Sequence, residues 1–157
     1  MQGHLVIADI SGYTQFLTSS ELEHANGIIG ELLNAIVGAI QAPLTISRIE
    51  GDAIFMYGVM PEDMSGQVVL ESVELLYCAF AGSLETMVLN TSCNCNACVN
   101  INSLGLKIVM HCGEFAMTSV GGQETLSGAD VVLAHRLTKN TINEETGISD
   151  YKIVTQQ

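Results

Sequence analysis

The sequence predicts an α+β fold, a ferredoxin-like βαββαβ sandwich, and three observations carry that prediction. Short apolar runs that end in glycine- or aspartate-bearing turns recur where strands are expected. Between them lie stretches whose apolar residues return at helical spacing. Their order is strand, helix, paired strands, helix, paired strands, helix, strand, which is that of a sheet with helices on one face.

Residues 4–8 read as a buried strand, turned at Ser11-Gly12. Ser20 with Glu23 has the spacing of a capping box, and a helix is expected after it. Ile28, Ile29, Leu32, Leu33, Ile36, Val37 and Ile40 form its apolar stripe, and Pro43 stops the pattern. Residues 44–48 and 53–57 are expected to be strands joined tightly through Glu50, Gly51 and Asp52. A second helix is expected from Ser65 towards Val88, with Val69, Val73, Leu76, Phe80, Leu84 and Met87 facing the core. The cysteine-rich stretch 91–103 then reads as a loop. Residues 104–110 and 115–120 suggest strands paired around Gly113, ended by Gly121-Gly122. Ser127 with Asp130 offers a second capping pattern before a helix over VVLAHRLTKN, and residues 151–155 complete the sheet.

A chain of 157 residues with 48% hydrophobic composition suffices for one core and is too short for two ordinary domains, so residues 1–157 are read as a single domain. No apolar run is expected to cross a bilayer, and the N-terminus lacks the basic region of a signal peptide; a cytoplasmic protein is the expectation. The net charge of −12, with five Lys and Arg, argues against nucleic acid and anionic membranes as partners. A nucleotide fits such a chain only if a metal and a few local cations neutralise its phosphates.

Asp9, in LVIADISGYTQF, and Asp52, in ISRIEGDAIFMYG, each stand close to glycine at the end of an apolar run. Two such carboxylates can share a divalent ion that handles polyphosphate, with substrate oxygens and water completing the octahedron. The alternative is structural, with Asp9 capping a turn and Asp52 shaping a hairpin. Cys93, Cys95 and Cys98 form Cys-x-Cys-x-x-Cys, a spacing at which three thiolates can converge on one structural zinc. Cys78, Cys112 and His111 are each eligible as fourth ligand, and buried or reducible thiols are the other reading. His111 also fits a hydrogen-bonded core histidine.

The element order and these motifs resemble the class III nucleotidyl cyclase catalytic domain over most of the chain. ADISGYTQF resembles the strand-ending stretch of the first metal aspartate, RIEGD the hairpin Lys-x-x-Gly-Asp of the second, and GADVVLAHR the family's Gly-x-x-Val-Asn-x-Ala-x-Arg. The chain is also similar to a cyclase-like bacterial family of uncharacterised function through ADISGYT, EGDA, a cysteine-rich loop, HCGE and AHRLTKN.

The resemblance implies that Asp9, Asp52 and the carbonyl of Ile10 hold magnesium or manganese in a two-ion site. It places Arg48 where many adenylyl cyclases read adenine with lysine, and Thr125 at another base-reading position. Arg48 also suits a strand residue paired with Glu50. Arg136 matches the arginine that offsets charge on the transition state, a role that suits a guanidinium, while a last-turn helix cation is its structural alternative. His135, Lys139 and Asn140 are secondary candidates on the same helix. The chain departs from the pattern at Val132, where an asparagine is usual; losing such a donor costs about two to three orders of magnitude in rate.

These positions together imply a metal-dependent cyclase. It would convert a purine nucleoside triphosphate into a 3′,5′-cyclic nucleotide and pyrophosphate in a head-to-tail homodimer, with Arg136 facing the aspartates of the partner subunit. The alternative is a catalytically degenerate module that binds nucleotide or metal and signals through dimerisation. A thiol redox or zinc-sensing protein is a third reading.

Overall fold

The computed structural model describes residues 1–59, 61 and 66–155. Its first half runs β1 (Gln2–Ser11), α1 (Tyr13–Ser19), α2 (Leu22–Ala39), β2 (Thr45–Glu50), β3 (Ala53–Val59) and α3 (Gly66–Asn90). The second half runs α4 (Asn96–Val99), a 3-10 turn at Ile101–Ser103, β4 (Gly105–Glu114), β5 (Ala116–Val120), β6 (Gln123–Ser127), α5 (Ala129–Thr138), α6 (Ile142–Thr146) and β7 (Tyr151–Thr155). The expected helix start at Ser65 lies outside the described residues.

Five strands form one sheet in the order β2-β3-β1-β4-β7, antiparallel except for the β4–β7 pair. The β2-β3-β1-β4 portion, with α2 and α3 as its connections, is the expected ferredoxin-like α+β arrangement. β1 runs the full length from Gln2 because it pairs with β3 on one side and β4 on the other. Such a central strand must bury both faces, and its two sets of alternate residues do so. Val6, Ala8 and Ile10 join the core beneath α2 and α3, which includes Ile28, Leu32, Ile36, Val69, Leu76 and Phe80. Leu5 and Ile7 join Val109, Phe115 and Ala134 beneath α5. Helices therefore cover both faces, not one, since a β1 apolar on alternate positions of both parities cannot leave either face to water.

Several local expectations are corrected. β4 does not pair with β5; it fills the sheet between β1 and β7, while β5 pairs with β6 in a separate hairpin. Neither capping pattern forms. α2 has Glu21 at its N-cap with no side-chain cap, and Ser20 Oγ is buried without a partner. α5 starts from Gly128, at φ 143, while the Ser127 hydroxyl donates to the Ala116 carbonyl. The sequence pattern also passed over α1, entered through Gly12 at φ 82, as well as α4 and α6. By length and composition alone α3 is long and apolar enough to cross a bilayer, contrary to expectation. Its Val69, Val73, Leu76 and Phe80 are buried against the sheet instead.

Candidate functional site

Asp9 lies on β1 between Ala53 of β3 and Lys107 of β4. Gly51, in the left-handed region at φ 58, tightens the β2–β3 hairpin and delivers Asp52 one residue before Ala53. The Ile10 amide donates to the Asp52 carbonyl at 3.1 Å, which fastens the hairpin tip to β1. The two carboxyls are within hydrogen-bonding reach of each other. Burial, followed by the hydrogen bond and charge of Asp9, raises Asp52 to about 7, while the charge of Lys107 opposes the rise.

Lys107 Nζ stands 3.1 Å from Asp9 Oδ2 and donates to the Thr138 carbonyl of α5 at 3.0 Å. Its ammonium supplies one positive charge to a site with two carboxyl groups. Ser11, two residues beyond Asp9 and on the same side of β1 by strand alternation, has a buried hydroxyl with no partner. Crowded carboxyls with an unpartnered oxygen nearby are a hard-donor set that fits magnesium or manganese. Asp9, Asp52 and the backbone of Ile10 are thus brought together.

Arg48 reaches the α5 face through a bulge. Ile46 pairs with Met56 but Arg48 pairs with Phe55, so the chain slips one residue at Ser47. An unbroken ladder would have set Arg48 opposite the buried Ile54 and on the other face. Instead its guanidinium lies over the Phe55 ring, 4.8 Å from the centroid, and its NH2 group is 3.2 Å from His135 Nε2. Phe55 stacks on the His135 ring at 4.6 Å. Burial first, then the Arg48 charge, lowers the pKa of His135 and favours the neutral imidazole as acceptor. Arg48 also pairs with Glu50 at 3.5 Å, the structural use expected of it. Thr125 of β6 lines the same groove as Arg48.

Arg136 is exposed on α5 and, among the described residues, its side chain makes no hydrogen bond or ion pair. It does not join the Asp9–Asp52 cluster within one chain. Val132 is one turn earlier and also exposed. Four of the five basic residues nevertheless gather at this helix: Arg136 is on α5, Lys139 is its C-cap, and Arg48 and Lys107 contact it. The fifth, Lys152, pairs with Glu74 of α3 at 2.8 Å. Asn140 caps the neighbouring segment, accepting from the Tyr151 hydroxyl and the Ile142 amide.

The cysteine loop makes a second cluster. Cys93, Cys95 and Cys98 converge with His24 of α2, their ligand atoms all within 4.8 Å of one another, so this cluster could hold a metal ion. Cys98 is pushed up to about 11, first by its hydrogen bond with Cys95, whereas backbone and side-chain contacts with Cys95 lower Cys93. Cys78, Cys112 and His111 are not in the cluster. His111 is buried between Thr155, whose hydroxyl meets Nδ1, and Asp130, whose Oδ1 lies 3.5 Å from Nε2. Sequence reasoning missed His24, Lys107, Phe55 and the role of Asp130. Lys107 alone left a signal, as a lone cation inside an apolar strand.

A family model described as "Protein of unknown function (DUF2652)" matches residues 29–146. A Mycobacterium tuberculosis protein, described as uncharacterized protein Rv2561/Rv2562, is 28% identical over 127 residues, covering 81% of this chain and 57% of its own length. The chain thus spans little more than half of that relative. Among solved structures, a class III adenylyl cyclase-like ATP-binding protein from Pseudomonas aeruginosa has a TM-score of 0.75 at 14% identity, covering 99% of this chain and 33% of its own. A bacterial light-regulated adenylyl cyclase has a TM-score of 0.69 at 12% identity, with 96% and 74% covered. The adenylyl cyclase CyaB from P. aeruginosa has 0.65 at 17%, with 87% and 71% covered. The fold is that of class III cyclase catalytic domains.

Proposed function

The chain belongs to the DUF2652 family, and from its cyclase-type fold and charge placement we propose a metal-dependent nucleotidyl cyclase acting on a purine nucleoside triphosphate. The observation that carries this reading is electrostatic. In a chain of net charge −12, four of five cations sit on, at the end of or against α5, and one of them, Lys107, reaches the carboxyl pair that a divalent ion would neutralise. That is how an acidic protein accommodates a triphosphate.

In this reading residues 1–157 form one cyclase-like domain, working in the cytoplasm as a head-to-tail homodimer. Asp9, Asp52 and the Ile10 carbonyl would hold magnesium or manganese, which when bound polarises phosphate oxygens and eases ionisation of the ribose hydroxyl. Arg48 and Thr125 line the groove that takes the base. The ribose 3′-oxygen bonds to the α-phosphorus, the bond to the bridging oxygen breaks, the hydroxyl proton passes to solvent and pyrophosphate departs. Arg136, whose side chain has no partner among the described residues, offsets the phosphorane charge from across the dimer.

A second reading is a non-catalytic nucleotide-binding module. Val132 favours it, since an exposed valine on the face of Arg136 cannot donate a hydrogen bond. Incubation of the purified protein with manganese and each nucleoside triphosphate, followed by separation of products, tests the proposal. A cyclic nucleotide and pyrophosphate in equal amounts are expected. Nucleotide-dependent thermal stabilisation without product would instead establish the module.

A further inference from the structure

We infer that His24, Cys93, Cys95 and Cys98 form a closed four-ligand zinc site that clamps the first turn of α2 to the 91–103 loop. The inference stands apart from the nucleotide reading and shares no residue with it.

The distances carry it. In a tetrahedron with Zn–S bonds of about 2.3 Å and a Zn–N bond of about 2.1 Å, each N···S edge is about 3.6 Å. His24 Nδ1 lies 3.7 Å from Cys93 Sγ, 3.6 Å from Cys98 Sγ and 3.1 Å from Cys95 Sγ. Two edges match and the third needs a shift of about half an ångström. All four ligand atoms fall within 4.8 Å of each other although 69 residues separate His24 from Cys93. All three cysteines are free, and an odd number of thiols cannot pair among themselves.

The donor set selects the ion. Three soft thiolates and one imidazole suit zinc and disfavour magnesium or calcium. Four protein ligands leave no position for water, so the site is structural, not hydrolytic. The surroundings support it. Cys95 caps α4 by accepting the Cys98 amide on its sulfur at 3.4 Å, and Glu21 Oε2 accepts the Ala97 amide at 3.1 Å. The Glu21 contact joins the same two segments that the ion would join, and the Cys98 amide orients the Cys95 sulfur. The far end of the loop bears on β1's exit: a Cβ at Gly12 would lie 3.0 Å from the Ser103 carbonyl.

The test uses the full chain purified in reductant without chelator. Elemental analysis should find about one zinc per chain, and cobalt reconstitution should give tetrahedral d–d bands with thiolate charge transfer. His24→Ala and Cys95→Ser should lose the zinc, whereas Cys78→Ser and Cys112→Ser should keep it. His24→Cys should keep the metal and strengthen the thiolate band, which separates ligand loss from misfolding. A chain that neither retains zinc nor takes it up when zinc is supplied overturns the site. So does a His24→Ala protein with an unchanged cobalt spectrum.

Discussion

Lys107 holds Asp9 across the β1–β4 pairing, Nζ to Oδ2 at 3.1 Å, with the two side chains only 21% and 17% exposed. The same ammonium is tied to the C-terminal end of α5 through the Thr138 carbonyl. One lysine therefore links the sheet, the helix that gathers the cations, and the first candidate metal ligand.

Replacing it exposes the carboxyl repulsion. Lys107→Met should destabilise the protein by about 1–3 kcal/mol, between the small worth of an exposed pair and the larger cost of breaking a buried one. For a chain of this length that is a fall in Tm of roughly 2–4 °C per kcal/mol. Millimolar manganese should recover much of the loss by supplying the missing charge at Asp9 and Asp52. A deficit that manganese leaves untouched, measured by calorimetry, counts against metal binding there.

Asp52 sets a pH dependence of unusual sign. Its folded pKa is raised to about 7, first by burial and then by Asp9, above the ordinary carboxyl value of 3.8. Between these values the folded state binds more protons than the unfolded state, so stability declines as pH rises and levels off above about 7. Asp52→Asn removes that slope. The variant should gain more in Tm over wild type at pH 8 than at pH 5, without metal; a larger gain at pH 5 refutes the assignment.

The extent to which the sequence foretold this site follows from the physics of each part. Apolar stripes such as Ile28 to Ile40 and Val69 to Met87 are periodic, and periodicity survives in one dimension. The Asp9 and Asp52 motifs were legible because each stands close to a turn glycine, Gly12 three residues after Asp9 and Gly51 directly before Asp52. Partnership across the chain was not. The burial of β4 between β1 and β7, and the meeting of His24 with Cys95, depend on long-range pairing that leaves no local pattern. The slip at Ser47 likewise reverses the face of Arg48 through a single unpaired residue.

The Arg48–His135 contact can be read by proton titration. Burial and then Arg48 lower His135 from its usual 6.5, so the neutral ring is preferred and its stabilising share is lost as pH falls below that value. In Arg48→Met the ring loses an adjacent positive charge, and its pKa should rise towards 6.5 in an NMR titration. A pKa unchanged or lower in the variant means the guanidinium does not face the imidazole. Under the cyclase proposal, nucleotide binding should also be weaker in Arg48→Met than in wild type, because the groove shared with Thr125 loses its cation.

Gly113 is required by its neighbour, not by its backbone. A Cβ there would fall 2.4 Å from Asp130 Oδ2, closer than side-chain atoms approach. Asp130 uses that space to accept the Glu114 amide at 2.6 Å and to face His111 at 3.5 Å. These contacts hold its carboxyl below the usual carboxylate range, with the Glu114 amide contributing most. Gly113→Ala should push Asp130 off the end of β4 and forfeit its charge-assisted hydrogen bond to the Glu114 amide. A fall in Tm is expected. In an Asp130→Gly background, which removes both the carboxylate and the Cβ that would lie 2.7 Å away, the methyl group has room, so the same substitution should cost much less. A double-mutant cycle measures this directly. Equal costs in both backgrounds would mean that the glycine answers to something other than Asp130.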